Sequence, residues 1–114
     1  MRRKAFTLVE IMIVVLIIGI LLAIALPNFF QSRARANARS CIANLKQIDA
    51  AKEILAQDQR LSNGATVQMS DLWPVYIRQS TQPLCPSGGT YTIGTIGQTP
   101  TCSFVDPFVP HEIP

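Results

Sequence analysis

Hydrophobic positions are distributed along this chain in three different ways. From Phe6 to Leu26 they are nearly continuous (FTLVEIMIVVLIIGILLAIAL), and Glu10 is the one charge among them. From Ala34 to Leu55 they recur every three or four residues, at Ala34, Ala38, Cys41, Leu45, Ile48, Ala51 and Leu55. Beyond Gly64 they come in short groups between Thr, Ser, Gly and Pro. A continuous run of about 21 residues at a rise of 1.5 Å each matches the hydrocarbon core of a bilayer, which predicts a membrane-spanning helix. The 3–4 spacing predicts a helix with one dry stripe, and residues 31–60 suit it, having many Ala, Arg, Lys, Gln and Leu and no Pro or Gly. Joined, the two patterns predict one helix from Phe6 to about Leu61. Ser62-Asn63-Gly64 should end it, because Asn and Gly accept the left-handed conformation that closes helices.

The last third predicts a small head. Thr66-Val67-Gln68-Met69 alternates like a short strand, and Ser70-Asp71-Leu72-Trp73 reads as an N-capped helical turn stopped by Pro74. Trp73, Val75, Tyr76 and Ile77 are expected to anchor the head on the helix stripe. Two Thr- and aromatic-bearing segments, Thr90–Ile93 and Thr101–Phe104, flank the Gly-rich stretch 94–100 and predict a β-hairpin. The fold class is α+β: one long N-terminal helix, apolar in its first half and amphipathic in its second, carrying a small C-terminal antiparallel β head.

Glu10 is the residue that demands an explanation. A carboxylate inside a membrane span costs about 2.5–3.5 kcal/mol near the centre and less toward the ends. Its neighbours from Phe6 to Val14 include no cation, and Arg2, Arg3 and Lys4 lie six to eight residues back, at headgroup level. Two readings stand: a protonated or shallow acid that reaches water, or an acid whose partner comes from another molecule.

Lys4-Ala5-Phe6-Thr7-Leu8-Val9-Glu10, followed by an unbroken apolar helix with Gly19 and Pro27, resembles the N-terminus of type IV pilins and their pseudopilin relatives. The resemblance covers about the first 30 residues. It implies a basic leader, residues 1–5, that prepilin peptidase removes between Ala5 and Phe6, followed by N-methylation of Phe6. It further implies that Glu10 pairs with the terminal amine of a neighbouring subunit, an ion pair worth far more in low dielectric than in water. Other pilin subunits, the peptidase, the pilus assembly platform and the inner membrane are the implied partners. The family usually carries Gly before the cut, where this chain has Ala5; alanine is the next smallest residue. Gly19 and Pro27 mark a kink, since proline removes a helical hydrogen bond and clashes with the preceding turn. In the family this stretch can lose helicity when subunits pack. The expected divisions are then leader 1–5, transmembrane or filament-core helix 6–27, amphipathic helix 28–62 and β-rich head 63–114.

Charge fits a leader that leaves. Ten Lys plus Arg against seven Asp plus Glu give +3, and removing Arg2, Arg3 and Lys4 brings this to zero. The basic character therefore belongs to the leader, and nucleic acid is not indicated as a partner. The same basic residues place the N-terminus in the cytoplasm and the head outside it, as a single-pass protein or, after assembly, an extracellular fibre. Arg33, Arg35 and Arg39 more simply form a solvated or inter-subunit face.

In an oxidising exterior Cys85 and Cys102 bracket the hairpin and could close a staple worth about 3 kcal/mol in the chain-entropy view. Cys41 sits on the helix stripe, as a buried thiol or a link to another subunit. No CxxC pair is present and His111 stands in a Pro-bounded tail, so spacing offers no metal site and no cofactor is expected. One His, no nucleophile–base signature and no phosphate loop give catalysis no foothold. A pilus subunit is the leading expectation. A minor pilin or pseudopilin of a secretion or DNA-uptake system, and an anchored binding module that never polymerises, are the alternatives.

Overall fold

A computed structural model describes residues 4–114, so Met1, Arg2 and Arg3 of the expected leader lie outside the described residues. The elements are α1 (Leu8–Gln59), α2 (Met69–Leu72), β1 (Tyr91–Thr92) and β2 (Thr101–Cys102). The chain divides into two compact units, one ending at Arg33 and the other spanning Ala34–Pro114.

In the first unit every described residue is exposed, and the apolar side chains point in all directions around α1. A helix apolar on every face must be covered by lipid or by other helices. This one is long and apolar enough to cross a membrane. α1 passes through Gly19 and Pro27 without a break. Pro27 has no N–H to offer the carbonyl one turn back, so the ladder is one bond short there.

In the second unit the predicted stripe is the floor of the core. Ala38, Cys41, Leu45, Ile48, Ala51, Leu55 and Ala56 are buried on α1, with Ala34 half-buried. Two clusters rest on it. Ile48, Ala51, Leu55 and Ala56 pack with Val67, Leu72, Ile77, Ile93 and Ile96. Cys41 and Leu45 pack with Cys85, flanked by Tyr91, Cys102, Phe104 and Ile113. The hairpin is antiparallel, with Tyr91 opposite Cys102 and Thr92 opposite Thr101, as the Thr and aromatic pattern predicted.

Several local expectations need correction. α1 ends at Gln59, and its left-handed closing residue is Arg60 (φ 53°). Leu61 N–H then bonds to the Ala56 carbonyl at 2.9 Å, a Schellman closure in which Leu61 packs back on the core cluster. Gly64 supplies the next turn instead. The stretch Thr66–Met69 forms only one bridge, between Thr66 and Thr95, and Met69 already begins α2. The residue before α2 is Gln68, whose N–H is held by the Asp71 carboxylate at 2.9 Å, so Ser70 is not the cap. Ile77 is buried and Trp73 and Tyr76 pack against the core, but Val75 is 66 % exposed. Pro74 follows a cis peptide bond. Tyr76 instead reaches α1 through its hydroxyl, which donates to Asp58 at 2.6 Å.

The stripe also carries a cation. Lys52 is only 2 % exposed, and its ammonium donates to the carbonyls of Ile93 (2.8 Å) and Gln98 in the hairpin loop. Burial lowers its pKa from the ordinary lysine range, with Asp49 and Glu53 partly opposing. Because the folded chain releases this proton before the unfolded chain does, its contribution to stability is complete above the ordinary lysine range. That contribution is lost as pH falls through the depressed folded value. Lys52→Met orphans two carbonyls and should cost about 1–3 kcal/mol at neutral pH. Denaturation followed by Trp73 fluorescence should also show the wild type gaining stability on the variant as pH rises toward the lysine range. Comparing the two cancels other groups; parallel pH profiles would refute the assignment.

Candidate functional site

At the start of α1, Thr7 and Glu10 hold each other. The Thr7 amide donates to Glu10 Oε2 at 3.0 Å, and the Glu10 amide donates to Thr7 Oγ1 at 3.3 Å. This is a reciprocal capping box, which satisfies two backbone donors that a helix N-terminus leaves unpaired. The T-x-x-E spacing was visible in the sequence, but a search for a cationic partner passes over it. Glu10 thus has a neutral partner within its own chain. Among the described residues no cation lies within ion-pair range of it. Lys4, Ala5, Phe6 and Glu10 line one shallow hollow, so the Ala5–Phe6 bond and the carboxylate share a surface.

Further along, the fold brings the three cysteines together with His111. Their four donor atoms all lie within 4.8 Å of one another. Cys41 comes from α1, Cys85 from the turn before the hairpin, Cys102 from β2 and His111 from the tail. All three cysteines are free thiols. Spacing could not reveal this cluster, because no two donors are neighbours in sequence. His111, in the Pro-bounded tail, is 2 % exposed. Its Nδ1 lies 3.6 Å from Cys85 Sγ, and its Nε2 faces Asp106 Oδ2 at 3.8 Å. Burial pushes the Cys41 thiol up to about 12. Burial acts on Cys85 in the same sense, but the amides of Ser87 and Gly89, with His111 and Cys102, outweigh it and bring that thiol down to about 7.

Comparison with known proteins agrees with the helix. Residues 1–26 match the family model described as the prokaryotic N-terminal methylation motif. The chain is 46% identical over 65 residues to a type IV major pilin of Myxococcus xanthus, covering 56% of this chain and 30% of that protein. It is 35% identical over 112 residues to the major component of a type IV narrow pilus of Thermus thermophilus, covering 89% of this chain and 95% of that protein. It is 30% identical over 57 residues to the type II secretion system core protein G of Klebsiella pneumoniae, covering 50% of this chain and 41% of that protein. The chain therefore spans well under half the length of two of these relatives and nearly all of the third. No solved structure matches.

Gly89 is what lets the hairpin close over the cluster. A Cβ built there would lie 2.6 Å from Cys102 Sγ and 2.7 Å from Phe104 Cβ. Gly89→Ala must push β2 outward and should cost about 1–3 kcal/mol by denaturant unfolding. Gly19→Ala, where the new methyl meets nothing, should leave the same transition in place.

Proposed function

This chain belongs to the type IV pilin family, and from that premise we propose that it is a structural subunit of a type IV pilus or pilus-like fibre. The observation that carries the reading is the first unit: a helix apolar on every face, exposed throughout, with one acid near its N-terminus. Such a surface is stable in lipid and equally stable against copies of itself, which permits subunits to leave the bilayer for a filament core.

In this reading the leader is cut between Ala5 and Phe6, Phe6 becomes the methylated terminus, and the head lies outside the cytoplasmic membrane. Glu10 keeps its capping bond through Oε2, while Oε1 remains free to accept the ammonium of a neighbouring Phe6. The missing backbone bond at Pro27, one turn from an all-apolar surface, is where α1 would open most cheaply as subunits pack. A secretion pseudopilus subunit is the second reading, since the Klebsiella protein shares the helix. That likeness stops at half of this chain, whereas the likeness to the Thermus pilus component runs through the head. This supports the pilus.

Two substitutions separate capping from pairing. Glu10→Gln keeps an acceptor for the Thr7 amide but removes the charge, and Glu10→Leu removes both. If the carboxylate pairs between subunits, both variants should abolish fibres seen by electron microscopy while the chain still accumulates in the membrane. Normal fibres from Glu10→Gln would reduce Glu10 to a helix cap. Mass spectrometry of mature material should find a methylated Phe6 terminus; an intact Met1 would favour a plain anchor.

A further inference from the structure

We infer that Cys41, Cys85, Cys102 and His111 form a tetrahedral site for a thiophilic divalent cation, zinc being the best fit, which ties the hairpin and the tail to α1. The inference stands on the second unit alone and does not depend on how subunits assemble.

The distances fit a metal tetrahedron. With Zn–S of about 2.3 Å and Zn–N of about 2.0–2.1 Å, tetrahedral geometry sets S···N edges near 3.6 Å and S···S edges near 3.8 Å. The Cys85 Sγ to His111 Nδ1 distance is 3.6 Å, and no edge of the four-donor set exceeds 4.8 Å. The longest edge needs to shorten by only about 1 Å to meet those values. Three sulfurs and one imidazole are also a donor set that zinc takes in structural sites, where all four positions are filled by protein.

The surroundings are those of an outer coordination shell. A metal on Nδ1 fixes the proton of His111 on Nε2, the atom that faces Asp106. That nitrogen is buried and has no hydrogen-bond partner, and the Asp106 side chain beside it is only 8% exposed. Asp106 is itself held, its Oδ1 accepting from the amides of Phe108 (2.8 Å) and Val109 (3.3 Å). Tyr91 packs against the cluster of Cys41, Leu45 and Cys85. Asn44 Nδ2 donates to the Tyr91 oxygen at 3.1 Å. Leu45, Phe104 and Ile113 close the site with apolar surface.

A Cys85–Cys102 disulfide is the competing outcome. It would use two of the four donors and leave the Cys41 thiol and the His111 imidazole buried but unused. Burying such polar groups without compensation is unfavourable, and a cation accounts for all four at once. Binding requires no redox partner: the dication displaces three thiol protons and takes the neutral imidazole lone pair.

The test uses the full chain in detergent, reduced, stripped of metal and checked for native circular dichroism. Cobalt(II) alone should produce intense tetrahedral visible absorption and sulfur-to-metal charge transfer, saturating at one equivalent, and zinc(II) should bleach it stoichiometrically. All three thiols should become protected from alkylation, and Tm should rise by about 10 °C at a hundredfold excess over Kd. Cys41→Ser should shift the spectrum toward fewer sulfur ligands. Should that variant not fold, Asp106→Asn serves: it leaves the spectrum unchanged while weakening affinity roughly 10–100-fold. A folded wild-type chain that takes up no cobalt, or takes it up without thiol protection, overturns the inference. So does protein isolated from its cells with Cys85 and Cys102 joined and Cys41 free.

Discussion

Everything after Gln59 is held in place by one apolar stripe on α1. The hairpin strands are two residues each, α2 has four, and neither has a face large enough to bury against the other. Small domains recover less of their surface on folding, so a head of this size depends on a preformed wall. The wall here is the row from Ala38 to Ala56. Its repeat sets which residues of the head become core: Leu72, Ile77, Ile93 and Ile96 over Ile48 and Leu55, and Tyr91 and Phe104 over Cys41 and Leu45. Removing the wall would leave loops.

Polar groups on or beside that stripe add what apolar contact cannot, a fixed register. Lys52 grips two carbonyls of the hairpin loop, Asn44 reaches Leu84 and Tyr91, and Asp58 receives the Tyr76 hydroxyl. Hydrophobic contact is non-directional and would tolerate sliding of the head along the helix. Hydrogen bonds from α1 at 44, 52 and 58 would all be lost by a slide of one turn. The buried ammonium is the most specific of them, because misplacing it strands a charge in low dielectric.

Legibility in the sequence followed the range of the interaction. Periodicity gave the helix, its apolar half, its stripe and the hairpin, since each is a local pattern repeated many times. The caps were local too, yet two were misplaced. Arg60 takes the left-handed position although Asn63 and Gly64 suit it better, because Leu61 must fold back onto the core. Gln68 precedes α2 because Asp71 reaches its amide. At Glu10 the T-x-x-E pattern was present and an ionic explanation hid it. Lys52 and the Cys–His cluster were illegible for a different reason. Nothing in Ala51-Lys52-Glu53 says that one lysine faces inward, and donors at 41, 85, 102 and 111 meet only once α1, hairpin and tail have docked.

The same principle, that partners arise from docking rather than from spacing, governs the two ends of the molecule differently. At Glu10 the local partner is already present, so the carboxylate is not a defect in the single chain; the capping box accounts for one oxygen only. A helix that needed nothing but a cap already has Thr7 at the cap position, its hydroxyl accepting from the Glu10 amide. Placing an acid four residues beyond Phe6, within the run, adds a desolvation cost that the Thr7 amide bond alone offsets weakly. In the proposed fibre that cost would be offset where a cation of a neighbouring subunit arrives in low dielectric. In that fibre an all-round apolar helix packed beside its copies would provide that environment, so the capped Glu10 and the exposed surface of the first unit fit one explanation.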